Sequence, residues 1–478
     1  VVLVRSTTDL DANDIAITAS VGDITVRTVN AGTANGDVTL TATTGSIVDD
    51  NSDATRITGD VVTLRAANQI GTNGGTGDID TTANFLTIES TVAGNVFLDE
   101  TDAVELTDVR TENGSIAITT GGATDVVLVR STTDLDANDI AITASAGDIT
   151  VRTVNAGLVD GDVTLTATTG AIVDDDVDAT RITGDVVTLR AANQIGTNAG
   201  TGDIDTAANF LTIESTVAGN VFLDETDAVE LTDVRTENGS ITITTGGDTD
   251  VVLVRSTTDS EANDIAITAS AGNVTVRTVN AGLVDGDVTL TATTGSIVDD
   301  VNNVTRVTGD VVTLRAAGSI GSGIVDGQID TTANRLTIES TLAGNVFLDE
   351  TDAVELTDVR TENGSITITT GGDTDVVLVR STTDSEANDI AITASAGNVT
   401  VRTVNAGLVD GDVTLTATTG SILDDANDAT RVTGDVVTLR AAGNIGASGA
   451  TGQIDTTANR LTIESTLAGN VFLDETDA

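Results

Sequence analysis

The stretch of this sequence nearest to a metal-binding loop is Asp134-Leu-Asp136-Ala-Asn138-Asp139, where oxygen-bearing side chains fall at alternate positions. Alternate oxygen ligands open a calcium loop of the EF-hand kind, but the glycine and the distant glutamate that complete such a loop are missing. The same segment occurs earlier as Asp9-Leu-Asp11-Ala-Asn13-Asp14 and later as Asp259-Ser-Glu261-Ala-Asn263-Asp264. Two readings stand side by side: a Ca2+ ligand set at Asp134, Asp136, Asn138 and Asp139, or a solvated turn too polar for a core. Neither requires a cofactor.

A second set of charged residues sits inside apolar, alternating segments. Val62–Ala66 and Leu86–Glu89 place Arg65 and Glu89 at the same strand position, and 125 residues later Arg190 and Glu214 occupy the equivalent sites. If these strands stack, each arginine faces a carboxylate one rung away. Aligning Val96-Phe-Leu-Asp99, Val127-Leu-Val-Arg130, Ile149-Thr-Val-Arg152 and Ile172-Val-Asp-Asp175 predicts another column: Asp99, Arg130, Arg152, Asp175. Planar guanidinium groups suit stacking and bidentate pairing. An exposed pair contributes at most about 1 kcal/mol, so the expected role is to hold register, because a slipped strand sets like charges together.

Catalysis has few reagents here. His, Cys and Tyr are absent and all 21 basic residues are Arg, so a base or nucleophile has to be a carboxylate or an activated hydroxyl. Every candidate recurs at 125-residue intervals, which argues against one localised site and against an enzyme. Thr-x-Thr strands such as Thr39-Leu-Thr41 raise the possibility of an ice-binding array. The predicted outward column Thr166, Arg190, Glu214, Thr244, Thr268 interrupts such a face with long charged side chains.

The elements that carry these residues are repeats. GDVTLTATTGSIVDD at Gly36 returns nearly unchanged at Gly161, Gly286 and Gly411, each 125 residues after the last. The chain divides into repeats at 1–125, 126–250, 251–375 and a shorter 376–478, with no linker between them and so one continuous solenoid. Within a repeat, an apolar-Thr-apolar signature recurs at Val163, Val187, Leu211, Ile241, Ile265 and Val288, in steps of 24, 24, 30, 24 and 23 residues. Alternation of Val, Ile, Leu and Thr bounded by Gly, Asn and Asp is a strand signal. Roughly three short strands per step, without helical periodicity, predict an all-β fold: a right-handed parallel β-helix of about five coils per repeat. About nineteen coils at the ~4.8 Å strand spacing make a rod roughly 90 Å long, stabilised coil on coil.

Composition agrees with that fold. Pro is absent, as suits strands in which each N–H donates to a neighbouring coil. No Cys is available for disulfides or thiolate metal sites. No apolar run approaches the ~20 residues of a membrane-spanning helix, which argues against direct membrane insertion. The net charge of −53 amounts to roughly one negative charge per 1.7 Å of such a rod, comparable to duplex DNA, so nucleic acid is not an expected partner. The acidity reads either as a soluble, non-aggregating surface or as adaptation to salt or divalent cations. Val1 falls in mid-repeat and Ala478 stops 22 residues short of the next repeat. The expectation is a longer array whose open coil ends favour self-association.

Segments such as GDVTLTATTGSI, TENGSITITTGGDTD and AGNVFLDETDAVEL resemble the repeat regions of filamentous-haemagglutinin-like and other large bacterial surface adhesins, over the whole chain. The resemblance implies secretion, extracellular or cell-surface display and a β-helical shaft carrying adhesive modules. The family's secretion domain and anchor have no counterpart in these residues, and the calcium nonapeptide GGxGxDxUx is absent. The expected function is a structural shaft of an adhesin or extracellular filament. A carbohydrate- or calcium-dependent binding module is the alternative, and sister chains or a host or surface receptor are the expected partners.

Overall fold

A computed structural model of the chain describes residues 2–6, 13–50, 56–72, 76–135, 138–175, 181–197, 201–259, 263–300, 306–324, 326–384, 388–426, 431–449 and 451–476. Every regular element among the described residues is a β-strand, and none is a helix. The chain forms two compact units, Val1–Gly239 and Ser240–Ala478.

In each unit the strands pair in parallel with their counterparts one coil away. Ile15–Ala19 lies on Val38–Ala42, which lies on the second half of Arg56–Ala66. In the other unit Ile265–Ala269, Val288–Ala292 and Arg306–Ala316 repeat the arrangement. Each unit is therefore a parallel β-solenoid.

Side-chain alternation decides which atoms fill it. In Val38–Ala42 the residues Val38, Leu40 and Ala42 point inward and are at most 1% exposed, whereas Thr39 and Thr41 face out. Burying one such Val or Leu contributes about 1.5–3 kcal/mol. Backbone donors carry the ladder past the strand ends: Ile15 N–H donates to the Asp37 carbonyl and Ile24 N–H to that of Ser46, at 2.8 and 2.9 Å. Tight corners bring backbones together. Gly147 turns with φ +81°, and a Cβ on Gly170 of the next coil falls 2.0 Å from the Gly147 carbonyl oxygen, so only glycine fits.

The registers refine the coil count to the half-coil. From Ile24 the pairings lead through Ile47, Ile70, Val96 and Ile116 to Ile140, which is the counterpart of Ile15 one repeat later. From Ile15 they lead through Val38, Val62, Leu86, Leu106 and Val126 to Val151, the counterpart of Val26. A repeat of 125 residues thus makes five and a half coils, with a rise of about 26 Å at the ordinary strand spacing. Consecutive repeats within a unit place the same segment on opposite sheets. The second unit does likewise: Val274 leads to Ile390, the counterpart of Ile265.

Candidate functional site

Glu89 is the centre of a charged ladder. Thr41, Arg65, Glu89, Arg110 and Arg130 are successive register partners on the sheet that begins with Ile15–Ala19. Arg65 Nε lies 3.2 Å from Glu89 Oε2, and Arg110 approaches Glu89 Oε1 at 3.3 Å and Asp108 at 3.5 Å. One repeat on, Arg190 Nε is 3.0 Å from Glu214, which also holds Arg235 at 3.2 Å. The expected Arg65–Glu89 and Arg190–Glu214 pairs are formed. The third members, Arg110 and Arg235, escape a reading of the sequence because the step from Leu211 leads to Leu231, not to Ile241. The expected column Thr166, Arg190, Glu214, Thr244 therefore continues with Arg235 in place of Thr244.

The second expected column is not a column. Asp99 belongs to the other sheet and pairs in register with Asp80 and Thr119, while Arg130 pairs with Arg110 and Asn155. Only Arg152 and Asp175 meet, in an ion pair through Arg152 Nε. The cause is a corner. Val126 pairs with Val151 and Val129 with Val154, so Arg152 occupies the bend between two short strands and does not lie over Arg130.

In the Asp134 segment the first carboxylate is held by backbone donors of the next coil. The Asp134 carboxylate accepts four backbone N–H bonds from the next coil: Leu158 and Val159 at 2.9 Å, Asp160 at 3.1 Å and Gly161 at 3.3 Å. Asp259 and Asp384 fill the equivalent cradles. Desolvation pushes the Asp134 carboxyl up, but the four amides together outweigh it and hold the group below the usual carboxylate range. Asn138 is fully buried and its Nδ2 donates to the Thr133 carbonyl and hydroxyl. Asp139 accepts the Asp162 N–H at 3.2 Å. Asp136 lies outside the described residues. Asp134 and Asp139 thus accept from backbone donors and Asn138 donates to Thr133, and no group of three or more acidic, His or Cys side chains among the described residues is arranged to hold a metal ion. Equal melting midpoints are expected in CaCl2, MgCl2 and NaCl at matched ionic strength. A midpoint higher in calcium alone assigns Asp134, Asp136, Asn138 and Asp139 to a Ca2+ site.

Two further carboxylate arrangements occur, of which the first is legible only with the register in hand. Asp80 and Asp99 are direct partners on one sheet, and Asp330 and Asp349 repeat them in the second unit. Burial, then the charge of Asp99, then that of Asp49 push the Asp80 carboxyl up to about 6, against the pull of Arg56; Asp330 is likewise pushed up to about 6, first by burial and next by Asp349. Inside the solenoid, Glu225 is fully buried. It accepts the Thr206 hydroxyl at 2.7 Å, Ala208 N–H at 3.1 Å and Asp227 N–H at 3.2 Å. Burial raises its pKa despite these bonds. Glu100 and Glu350 are its counterparts. The alternation Val221, Leu223, Glu225 already points Glu225 inward.

Chemically, the arginine ladders, the cradled aspartates and the buried glutamates join one coil to the next through donors and acceptors that each coil supplies to its neighbour, whereas the paired aspartates repel across the rung. Comparison with protein-family models, with curated proteins and with solved structures finds no match.

Proposed function

We propose that this chain is structural: the shaft of a secreted bacterial cell-surface adhesin, or a subunit of an extracellular filament, and not an enzyme. The observation that carries this reading is where the polar side chains go. The arginine–glutamate ladders, the cradled aspartates and the buried glutamates all bind the adjacent coil, and each arrangement recurs at the repeat interval. That pattern suits a load-bearing scaffold that lengthens by duplication. A catalytic groove instead concentrates its acids and bases at one place.

The strongly acidic surface keeps such a scaffold dispersed and away from nucleic acid and anionic membranes. No helix among the described residues is long and apolar enough to cross a membrane. The partners in this reading are further repeats or sister chains, with a host or surface receptor engaged by modules that the shaft displays. Electron microscopy of the native assembly tests it. Single rods ending at a cell surface, or rods in repeating contact, are the expected images, whereas compact particles that turn over a polysaccharide sink the proposal.

A further inference from the structure

Each full repeat carries one Asn-Gly-Ser segment, at Asn113, Asn238 and Asn363. It turns the corner between two strands, Val104–Thr111 and Ile116–Thr120 in the first repeat, Val354–Thr361 and Ile366–Thr370 in the third. Stacking demands the glycine. A Cβ on Gly114 falls 2.6 Å from the carbonyl oxygen of Gly94 in the neighbouring coil, and one on Gly364 falls 2.3 Å from that of Gly344. The asparagine carbonyl ties the same coils together, accepting the Gly94 N–H at 2.9 Å in one copy and the Gly344 N–H at 3.1 Å in the other.

The corners at Asn113 and Asn363 combine three features that favour closure of the asparagine side chain onto the following amide. Glycine has no side chain to obstruct attack by its nitrogen. That nitrogen is unoccupied as a donor: among the described residues the N–H groups of Gly114 and Gly364 meet no acceptor. The Asp-Gly pairs at Asp160, Asp285 and Asp410 differ, because Gly161, Gly286 and Gly411 donate to the cradled Asp134, Asp259 and Asp384. Finally, the carboxamide is polarised. The Thr133 hydroxyl donates to Asn113 Oδ1 at 3.3 Å and the Thr383 hydroxyl to Asn363 Oδ1 at 3.0 Å, and a donor there stabilises the charge that the oxygen takes up when Cγ is attacked. Asn363 is exposed and Asn113 half-buried, so water reaches both.

We propose that Asn113 and Asn363 are sites of spontaneous covalent modification in the folded chain, converting to aspartate and isoaspartate. The glycine nitrogen gives up its proton and bonds to asparagine Cγ; the Cγ–Nδ2 bond breaks, and Nδ2 leaves as ammonia with that proton. The product is a cyclic imide, and holding both reactants in one corner speeds its formation. Water then adds hydroxyl to one of the two imide carbonyls and returns a proton to the nitrogen. Opening at one carbonyl gives aspartate, and opening at the other gives isoaspartate, in which the chain runs through the side chain. Each conversion adds a negative charge to a chain already at −53. Each isoaspartate also inserts a methylene into a corner held on both sides, since the Gly114 and Gly364 carbonyls accept the Ser131 and Ser381 hydroxyls at 3.2 Å. The mark is irreversible and loosens the rung where it forms.

Peptide mapping by mass spectrometry tests this on the full chain in mildly alkaline buffer, folded and in parallel in denaturant, with enzymatic methylation of isoaspartate as a second readout. In the folded chain Asn113 and Asn363 are expected to convert at rates within about tenfold of those in denaturant. Asp160, Asp285 and Asp410 are expected to form isoaspartate in denaturant alone. T383V is expected to slow Asn363 about fivefold, the rate equivalent of one hydrogen bond, and T383S to restore it. Asn113, with Thr133 intact in the same chain, keeps its rate and reports on the fold. Conversion of both asparagines in denaturant but not in the folded chain overturns the proposal. So does isoaspartate forming in the folded chain as fast at Asp160, Asp285 and Asp410 as at the asparagines. T383V and T383S converting alike overturns the part assigned to the hydroxyl.

Discussion

Acidification from pH 7.5 to 5.5 is expected to raise the thermal unfolding midpoint of this protein. Asp80 and Asp330 titrate near 6 in the folded chain, against 3.8 for an ordinary aspartate. Between those values the folded state binds more protons than the unfolded one, so stability rises as pH falls. It is fully present below about 3.8 and lost as pH climbs through about 6. Undiscounted, each shift corresponds to about 3 kcal/mol at 1.36 kcal/mol per pKa unit; solvent screening of these half-exposed groups reduces that to about 1 kcal/mol per site. Buried Glu100, Glu225 and Glu350 are shifted in the same direction. Asp134, Asp259 and Asp384 are shifted the other way, and their contribution is lost as pH falls through their depressed pKa values. Calorimetry in buffers of matched ionic strength reads the profile. D80N/D330N is expected to raise the midpoint at pH 7.5 and flatten the slope. A midpoint that falls from pH 7.5 to 5.5, or a double variant with the parent's slope, excludes the paired aspartates as its source.

Gly170→Ala is expected to cost about 3 kcal/mol or more, the range of backbone clashes and strained positions. The added Cβ falls 2.0 Å from the Gly147 oxygen and 2.3 Å from its carbon. Relief requires moving backbone, and Gly147 N–H is itself held by the Thr169 hydroxyl. Gly295 over Gly272 and Gly420 over Gly397 are equally close. Gly184→Ala is the control, because its nearest neighbour is 3.2 Å away. Stability along a solenoid is close to a nearest-neighbour sum, so the damage should be local. Hydrogen exchange is expected to accelerate in Ile140–Ala144 and Val163–Ala167 and to change little at Ile15–Ala19. Equal protection in the Gly170 and Gly184 variants contradicts the close corner.

The strand pattern was legible in the sequence because one physical rule, alternate burial, writes itself directly into Val-Thr-Leu-Thr-Ala. The half-coil was not. Val229-Glu-Leu231 places a glutamate where the signature has threonine, so a count of apolar-Thr-apolar triplets passes over it and reads one step of 30 residues, although Leu211 pairs with Leu231 only 20 residues on. That single omission hid Arg110 and Arg235 from the ladders. The corner at Arg152 was invisible for a related reason: bends between short strands carry no periodicity, and Val127–Arg130 is as apolar as a strand. The cradle around Asp134 was hidden because its donors are backbone amides, which any sequence supplies.

The half-coil also bears on how such a gene changes length. Unequal crossing-over between neighbouring copies adds or deletes 125 residues, and within a solenoid each event turns everything downstream by half a revolution. Any segment inherited this way has to pack equally well against either wall. Two events restore the original facing, so an even gain conserves which side a feature is presented on, and an odd gain reverses it. Parity of copy number, more than copy number itself, then sets which side of such a solenoid a later segment is presented on.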